Sequence, residues 1–317
     1  MDVLPEDTEI GEAATVLRDQ YMPAILKHRE KLDLLKACNE ERAAQDEWDT
    51  LEKETGVNTI HYCSRIITYS EALCHFKEKD LSSYMSNISV SHRRGIKLLL
   101  HWLLGPPRLK LPLVPERDFV LALAQCPFDN DDMVHLEALQ TIYRKLTNAM
   151  YDCPRYGNHW ENIGFQGTDP ATDLRGVGLL GLLQLLFLTI GLENVELVND
   201  IYKLSRDSFQ NFPFAVMSLN ITKISLEALR EETLNKCCNG RESVIDVVNE
   251  FYAGTFLLLY LSWKNQIMTI KDSGFVIKDI SLLAKRRPHY VLHILRDYQQ
   301  ERRSSSTSEA FTNLTTV

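Results

Sequence analysis

Residues 176–192 read Gly176-Val177-Gly178-Leu179-Leu180-Gly181-Leu182-Leu183-Gln184-Leu185-Leu186-Phe187-Leu188-Thr189-Ile190-Gly191-Leu192, with no charge among them. The stretch is shorter than the ~20 residues a helix needs to cross a bilayer. A helix that is apolar on every side, yet too short for lipid, belongs at the centre of a large α domain. Residues 252–263 form a second, shorter apolar stretch and read the same way.

The pattern is helical on both sides of this stretch. Residues 133–146 place Leu136, Leu139, Ile142, Tyr143 and Leu146 on one stripe at three- and four-residue steps. Further helices are expected at 115–125, 195–206, 212–231, 243–264, 275–285 and 289–302. A short one opens at Ser70-Glu-Ala-Leu73, and Gly105-Pro-Pro107 stops an apolar one at 94–104. No period-2 alternation and no internal repeat is visible, so the expected fold is all-α, a single compact domain of roughly ten helices.

Charge separates the chain into parts. Of its 43 acids and 35 bases, residues 1–60 hold 15 acids against 7 bases, which leaves 28 of each in the remainder. No net basic field exists to hold a nucleic-acid backbone or anionic lipid. The expected organisation is an acidic segment at 1–63, partly helical (residues 23–53) or disordered, then a helical domain at 64–302 and a disordered Ser/Thr-rich tail at 303–317. The acidic segment reads either as a solvated leader or as a regulatory arm. Seven cysteines, odd in number and without CxxC spacing, argue against a disulfide framework and against a zinc site. The first residues have acids at Asp2, Glu6, Asp7 and Glu9 in place of a basic start and apolar run, so a reducing, cytoplasmic setting is expected.

Motifs of self-contained catalysis are missing. There is no GxxxxGK[ST], HExxH or GxSxG, and the nine histidines are scattered along the chain. Gly176-Val-Gly178-Leu-Leu-Gly181 matches GxGxxG, but a dinucleotide fingerprint follows a strand, and here Asp169-Pro-Ala-Thr-Asp173-Leu-Arg175 precedes it. The glycines read better as points of close helix approach, with Gly176 where a polar turn enters the core.

That polar turn closes residues 152–173, the longest stretch without an expected helix. Loops of this length in a compact domain are usually functional or disordered, and Trp160, Ile163 and Phe165 imply that this one is packed rather than floppy. Asp169-Pro170 favours a turn, and Thr172 or Asp173 can cap the apolar helix. Arg175 then falls in that helix's first turn, where a cation opposes the dipole by a few tenths to about 1 kcal/mol. Two readings are open: Arg175 folds back onto Asp173 or Asp169 and pins the loop, or it projects toward an external anion such as a phosphate, which its planar fork suits.

The run Trp160-Glu-Asn-Ile163-Gly164-Phe165-Gln166-Gly167-Thr168-Asp169-Pro170-Ala171-Thr172-Asp173-Leu174-Arg175-Gly176-Val-Gly178 resembles the signature of the ELMO (engulfment and cell motility) domain family at each fixed position. The similarity extends over roughly residues 64–300, through Phe76, Gly105-Pro-Pro107, Ala124-Gln-Cys126, Gln140 to Leu146, Phe212-Pro-Phe214 and Asp272-Ser-Gly-Phe275. The resemblance implies an activator of GTP hydrolysis on small GTPases of the Arf and Arf-like families, with an essential arginine that maps onto Arg175. Engulfment scaffolds of the wider family lack that arginine and carry further modules.

On this resemblance Arg175 is the finger supplied in trans. Gln166 and Asp173 support it, Asp173 by orienting it or capping its helix. Trp160, Ile163, Phe165 and Pro170 form the loop scaffold, and Gly164, Gly167 and Gly176 allow its turns. No cofactor or metal is expected, because the partner holds the GTP and Mg²⁺. The alternative is a non-catalytic GTPase-binding scaffold or effector module. Thr315-Thr316-Val317 fits the C-terminal pattern that adds as a strand to PDZ domains. Recruitment by partners to organelle membranes, cilia or actin structures is the expected localisation.

Overall fold

The structure, a computed structural model, describes residues 63–86, 88, 105–192 and 195–314. The helices expected at 23–53 and 94–104, most of the acidic segment, and Val317 lie outside the described residues. Every described element is helical.

Helix α1 (Tyr69–Glu78) starts one residue before the expected Ser70, because Thr68 caps it in a reciprocal box with Glu71. Helix α2 (Ser82–Ser86) follows, and a short 3₁₀ turn, Leu111–Leu113, leads into α3 (Val114–Leu123). In α4 (Met133–Thr147) Asp132 caps the start and Asn148, left-handed at φ 57°, ends it. Helices α5 (Pro170–Leu174) and α6 (Gly178–Leu186) follow, the second from the uncharged run. The chain continues through α7 (Val195–Ser205), α8 (Phe214–Arg230), α9 (Asn235–Arg241) and α10 (Ile245–Asn265). Helices α11 (Ser273–Arg286) and α12 (Pro288–Leu314) close it, and the backbone of α12 runs on past residue 302 through the Ser/Thr-rich stretch.

The apolar run occupies the place its composition requires. All residues of α6 are buried, packed among α3, α4, α5 and α8. Each of its leucines contributes about 1.5–3 kcal/mol by leaving water. The run ends in a π-helical turn, Phe187–Gly191, rather than continuing as regular helix to Ile190. Of its two polar side chains, Thr189 donates to the Leu185 carbonyl at 2.7 Å, and Gln184 Nε2 donates to Asn249 Oδ1 at 3.4 Å, whose Nδ2 donates to the Tyr69 hydroxyl, while Gln184 Oε1 is buried without a partner among the described residues. The second apolar stretch lies in α10, which packs against α8, α11 and α12. No single described helix is long and apolar enough to cross a membrane.

Two expectations about the polar stretch need correction. Residues 152–173 are not free of helix, since they contain the 3₁₀ turn Asn158–Ile163 and most of α5. The apolar helix begins at Gly178, not Gly176, because residues 175–177 form a turn between α5 and α6.

Candidate functional site

Trp160 anchors the signature loop. Its ring is fully buried, edge-on to Tyr143 with centroids 5.3 Å apart and to Phe165 at 6.2 Å, and its indole N–H donates to the Arg155 carbonyl at 3.0 Å. Ile163 and Phe165 are buried beside it. Gly164 ends the 3₁₀ turn at φ 86°, and a Cβ there would lie 2.2 Å from the Phe214 nitrogen. Only glycine fits both the left-handed backbone and that approach. Helix α8 has no side-chain cap, so the Gly164 carbonyl, accepting from Val216 N–H at 3.1 Å, satisfies one of its open donors.

The loop then turns into α5. Asp169 caps this helix by accepting from Ala171 N–H at 2.9 Å, buried Pro170 holds its first position, and Leu174 buries its last. Asp173 Oδ2 accepts from the Gln166 backbone N–H at 2.6 Å, tying α5 to the loop before it. Burial pushes the Asp173 carboxyl above its ordinary range, and the nearby charge of Asp169 adds to this, against the opposing pull of the Gln166 hydrogen bond.

Arg175 is the residue just after α5, with helical backbone angles and an exposed side chain. No hydrogen bond or ion pair reaches its guanidinium among the described residues. This corrects three expectations. Neither Thr172 nor Asp173 caps the apolar helix, because Asp169 caps the short helix before it. Arg175 stands outside α6, at the C-terminal end of α5, where a cation agrees with the helix dipole. Asp173 binds the backbone of Gln166 instead of orienting Arg175, and the Gln166 side chain is exposed.

The glycine assignments also change. Gly167 is left-handed at φ 74° as a turn requires. Gly176 is exposed with open space around it and no positive φ, so nothing there demands glycine. Gly178 carries the constraint: its φ is 56°, and a Cβ would lie 2.5 Å from the Leu123 carbonyl oxygen. The adjacent Leu179 N–H donates to the Cys126 carbonyl at 2.9 Å, so the end of α3 both confines and caps the start of α6.

Beside the loop lies an open groove of about 470 Å³ between residues 161–167 and the segment around Arg206, Phe212 and Pro213. Arg206 Nη1 and the Tyr202 hydroxyl both donate to the Asn162 carbonyl, at 3.3 and 3.1 Å. Gln166 lines this groove and Arg175 does not.

A polar cluster that the scattered histidines did not announce sits between α1 and α4. His75 Nε2 is 2.9 Å and Lys79 Nζ 2.6 Å from Asp132 Oδ2, while Lys79 Nζ is 3.1 Å from His135 Nε2. His75, Asp132 and His135 are close enough to share a metal ion. The donor set opposes it. Asp129 N–H donates to His135 Nδ1 at 3.0 Å, which leaves the ring proton on Nε2, the atom facing the cluster, whereas a metal needs that lone pair free. The cation the cluster does hold is the Lys79 ammonium. Burial first, then the Lys79 charge, lowers the His135 pKa to about 4, and so its ring is neutral near pH 7.

The geometry therefore joins Trp160, Gly164, Phe165 and Pro170 into a packed scaffold that leaves Arg175 exposed. Sequence reading missed Arg155, Arg206 and the Lys79 cluster, and among the glycines expected at close approaches it set Gly176, not Gly178, at the entry to the core. Only the Asp-Pro pair at 169–170, a cap followed by proline, was a local signal for α5.

Residues 118–277 match the ELMO/CED-12 family. ELMO domain-containing protein 3 from Homo sapiens is 49% identical over 260 residues, covering 80% of this chain and 68% of the relative. Its counterpart from Mus musculus is 46% identical over 271 residues, 84% of this chain and 71% of the relative. ELMO domain-containing protein 2 from Homo sapiens is 26% identical over 195 residues, 56% of this chain and 63% of the relative. No solved structure matches the chain significantly. With its signature loop packed as one unit and these matches spanning most of its length, the chain belongs to the ELMO/CED-12 family.

Proposed function

We propose that this chain acts on small GTPases of the Arf and Arf-like families as a GTPase-activating protein, with Arg175 entering the partner's nucleotide site. Membership of the ELMO/CED-12 family supports a GTPase-linked role in general. The observation that carries the finer reading is the position of Arg175: exposed, without a partner among the described residues, at the end of a short helix tied down at both ends. A side chain so placed keeps its donors for a ligand outside the chain.

The partner supplies GTP and Mg²⁺ in its own phosphate-binding loop. Between the β- and γ-phosphates negative charge develops as the bond to the γ-phosphate breaks, and a guanidinium meets it there. Such a finger is worth roughly 10³ to 10⁵ in rate, or about 4–7 kcal/mol of barrier. Lysine keeps the charge but loses the planar fork.

The test is single-turnover GTP hydrolysis across a panel of GTP-loaded Arf and Arf-like proteins, with wild type and Arg175→Lys side by side. Acceleration by catalytic amounts of wild type, lost in Arg175→Lys with the fold retained, is the expected result. Stoichiometric binding with unchanged hydrolysis would replace this reading with that of a non-catalytic effector module.

A further inference from the structure

We propose that Arg155 is a positioning residue for Arg175, acting through Asp169. The inference rests on the reading of Arg175 given above, and it concerns a residue outside the signature run.

Arg155 stands where three parts of the site meet. Its carbonyl accepts the Trp160 indole N–H. Its Nε donates to Asn130 Oδ1 at 2.7 Å, and its Nη2 lies 2.9 Å from Asp169 Oδ1. The guanidinium carbon is 4.8 Å from the Phe128 ring centroid and 4.6 Å from that of Tyr156. Both terminal nitrogens are buried without an aligned hydrogen bond, so the contact with Asp169 is charge pairing at short range. The two aromatic rings limit where the guanidinium can go, and Asn130 fixes its remaining edge.

Asp169 Oδ1, the atom Arg155 pairs with, is also the atom that accepts the Ala171 N–H and starts α5. A helix of five residues does not sustain itself in water, since the nucleating turn is unfavourable and few bonds follow it. External ties must hold it. Those that the structure supplies are buried Pro170 and Leu174, the Asp173 bond to Gln166, and the Arg155–Asp169 pair at its start. Any shift of α5 passes to Arg175 with no intervening joint, because Arg175 continues the helical backbone. A misplacement of about 1 Å at a reacting group costs on the order of 10²-fold in rate.

Lysine cannot replace this arginine, because a single ammonium cannot meet Asn130 and Asp169 together while lying over both rings. That separates a positioning role from a general need for positive charge. The experiment uses the full chain and a GTP-loaded Arf-family protein that wild type activates, with Arg155→Lys, Arg155→Ala and Asp169→Asn. Single-turnover rates are followed against chain concentration, and amide exchange is followed over residues 169–176 and over α10.

Both Arg155 variants should lower the saturating rate about tenfold or more, while the half-saturating concentration stays within about twofold. Exchange over 169–176 should quicken, with that of α10 unchanged. Asp169→Asn, which keeps the cap but not the charge, should follow the same pattern more weakly. A full saturating rate in Arg155→Lys, or unchanged exchange over 169–176 in both Arg155 variants, overturns the proposal. If wild type accelerates no member of the panel, the function proposed for Arg175 falls, and the exchange result alone decides whether Arg155 holds α5.

Discussion

The carboxylate of Asp173 accepts a 2.6 Å hydrogen bond from the backbone N–H of Gln166 and leaves Arg175, two residues along, untouched. The loop and the helix after it are thus stitched by a short acid-to-amide bond, while the arginine stays available.

Removing that bond tests how much the stitch is worth. Asp173→Ala should lower stability by about 1 kcal/mol, and Asp173→Asn, which keeps an acceptor, by much less. Because burial raises the Asp173 pKa, the folded state holds this proton more tightly than the unfolded chain. The group's contribution therefore weakens as pH rises from its unfolded value near 3.8 through the raised one, and Asp173→Asn should remove that part of the acid profile. Urea melts at several pH values measure both.

Neighbouring glycines should respond unequally to alanine. Gly178→Ala forces a Cβ against the Leu123 carbonyl at a left-handed position and should cost roughly 2 kcal/mol or more. Gly176→Ala meets open space and should stay within about 0.5 kcal/mol of wild type. Equal melting temperatures for the two variants would contradict the account of where α6 begins.

Ile267 offers a route to greater stability. It is 63% exposed and left-handed at φ 53°, at the end of α10, where Met268 N–H donates to the Trp263 carbonyl and Ile267 N–H to that of Lys264. This is the helix ending that glycine favours. Strain of about 1–2 kcal/mol is set against ~0.5–1 kcal/mol for the added freedom of glycine in the unfolded chain. Ile267→Gly should raise stability by the small difference, visible as a higher denaturation midpoint at unchanged slope.

His135 should make the fold acid-sensitive. Its pKa is lowered from 6.5 to about 4, so the unfolded chain takes up the proton first. Stability present above pH 6.5 should fall steadily as pH drops toward 4, by this group alone. His159, also lowered by burial, adds a loss of the same sign below its unfolded value of 6.5, and Asp132 acts only at lower pH. The comparison is therefore between wild type and His135→Gln, whose stability profile should be flatter from pH 6.5 to 4; parallel profiles would refute the assignment.

Much of the fold was legible without coordinates. An uncharged run too short for lipid had to be a central helix, and α6 is buried along its whole length. The stripe of α4 and the apolar stretch of α10 fell within a residue or two of their expected bounds at most of their ends, because helical period and hydrophobicity are properties of neighbouring residues. Trp160 and Phe165 were recognisable as anchors for the same reason: large aromatic rings in a polar loop need somewhere to go.

What the amino-acid order determined by itself was the class of fold, the buried run and the presence of an arginine beside it. Tertiary structure decided the rest: that Gly178 and not Gly176 bears the constraint, that Asp173 serves the backbone of Gln166, and that Arg155 reaches Asn130 and Asp169, 25 and 14 residues away. It also gathered His75 and Lys79 against Asp132 and His135, more than 50 residues along the chain. Helix formation and burial follow from local pattern, whereas a hydrogen bond or a Cβ clash depends on a gap of about 3 Å between segments that only the packed core brings together.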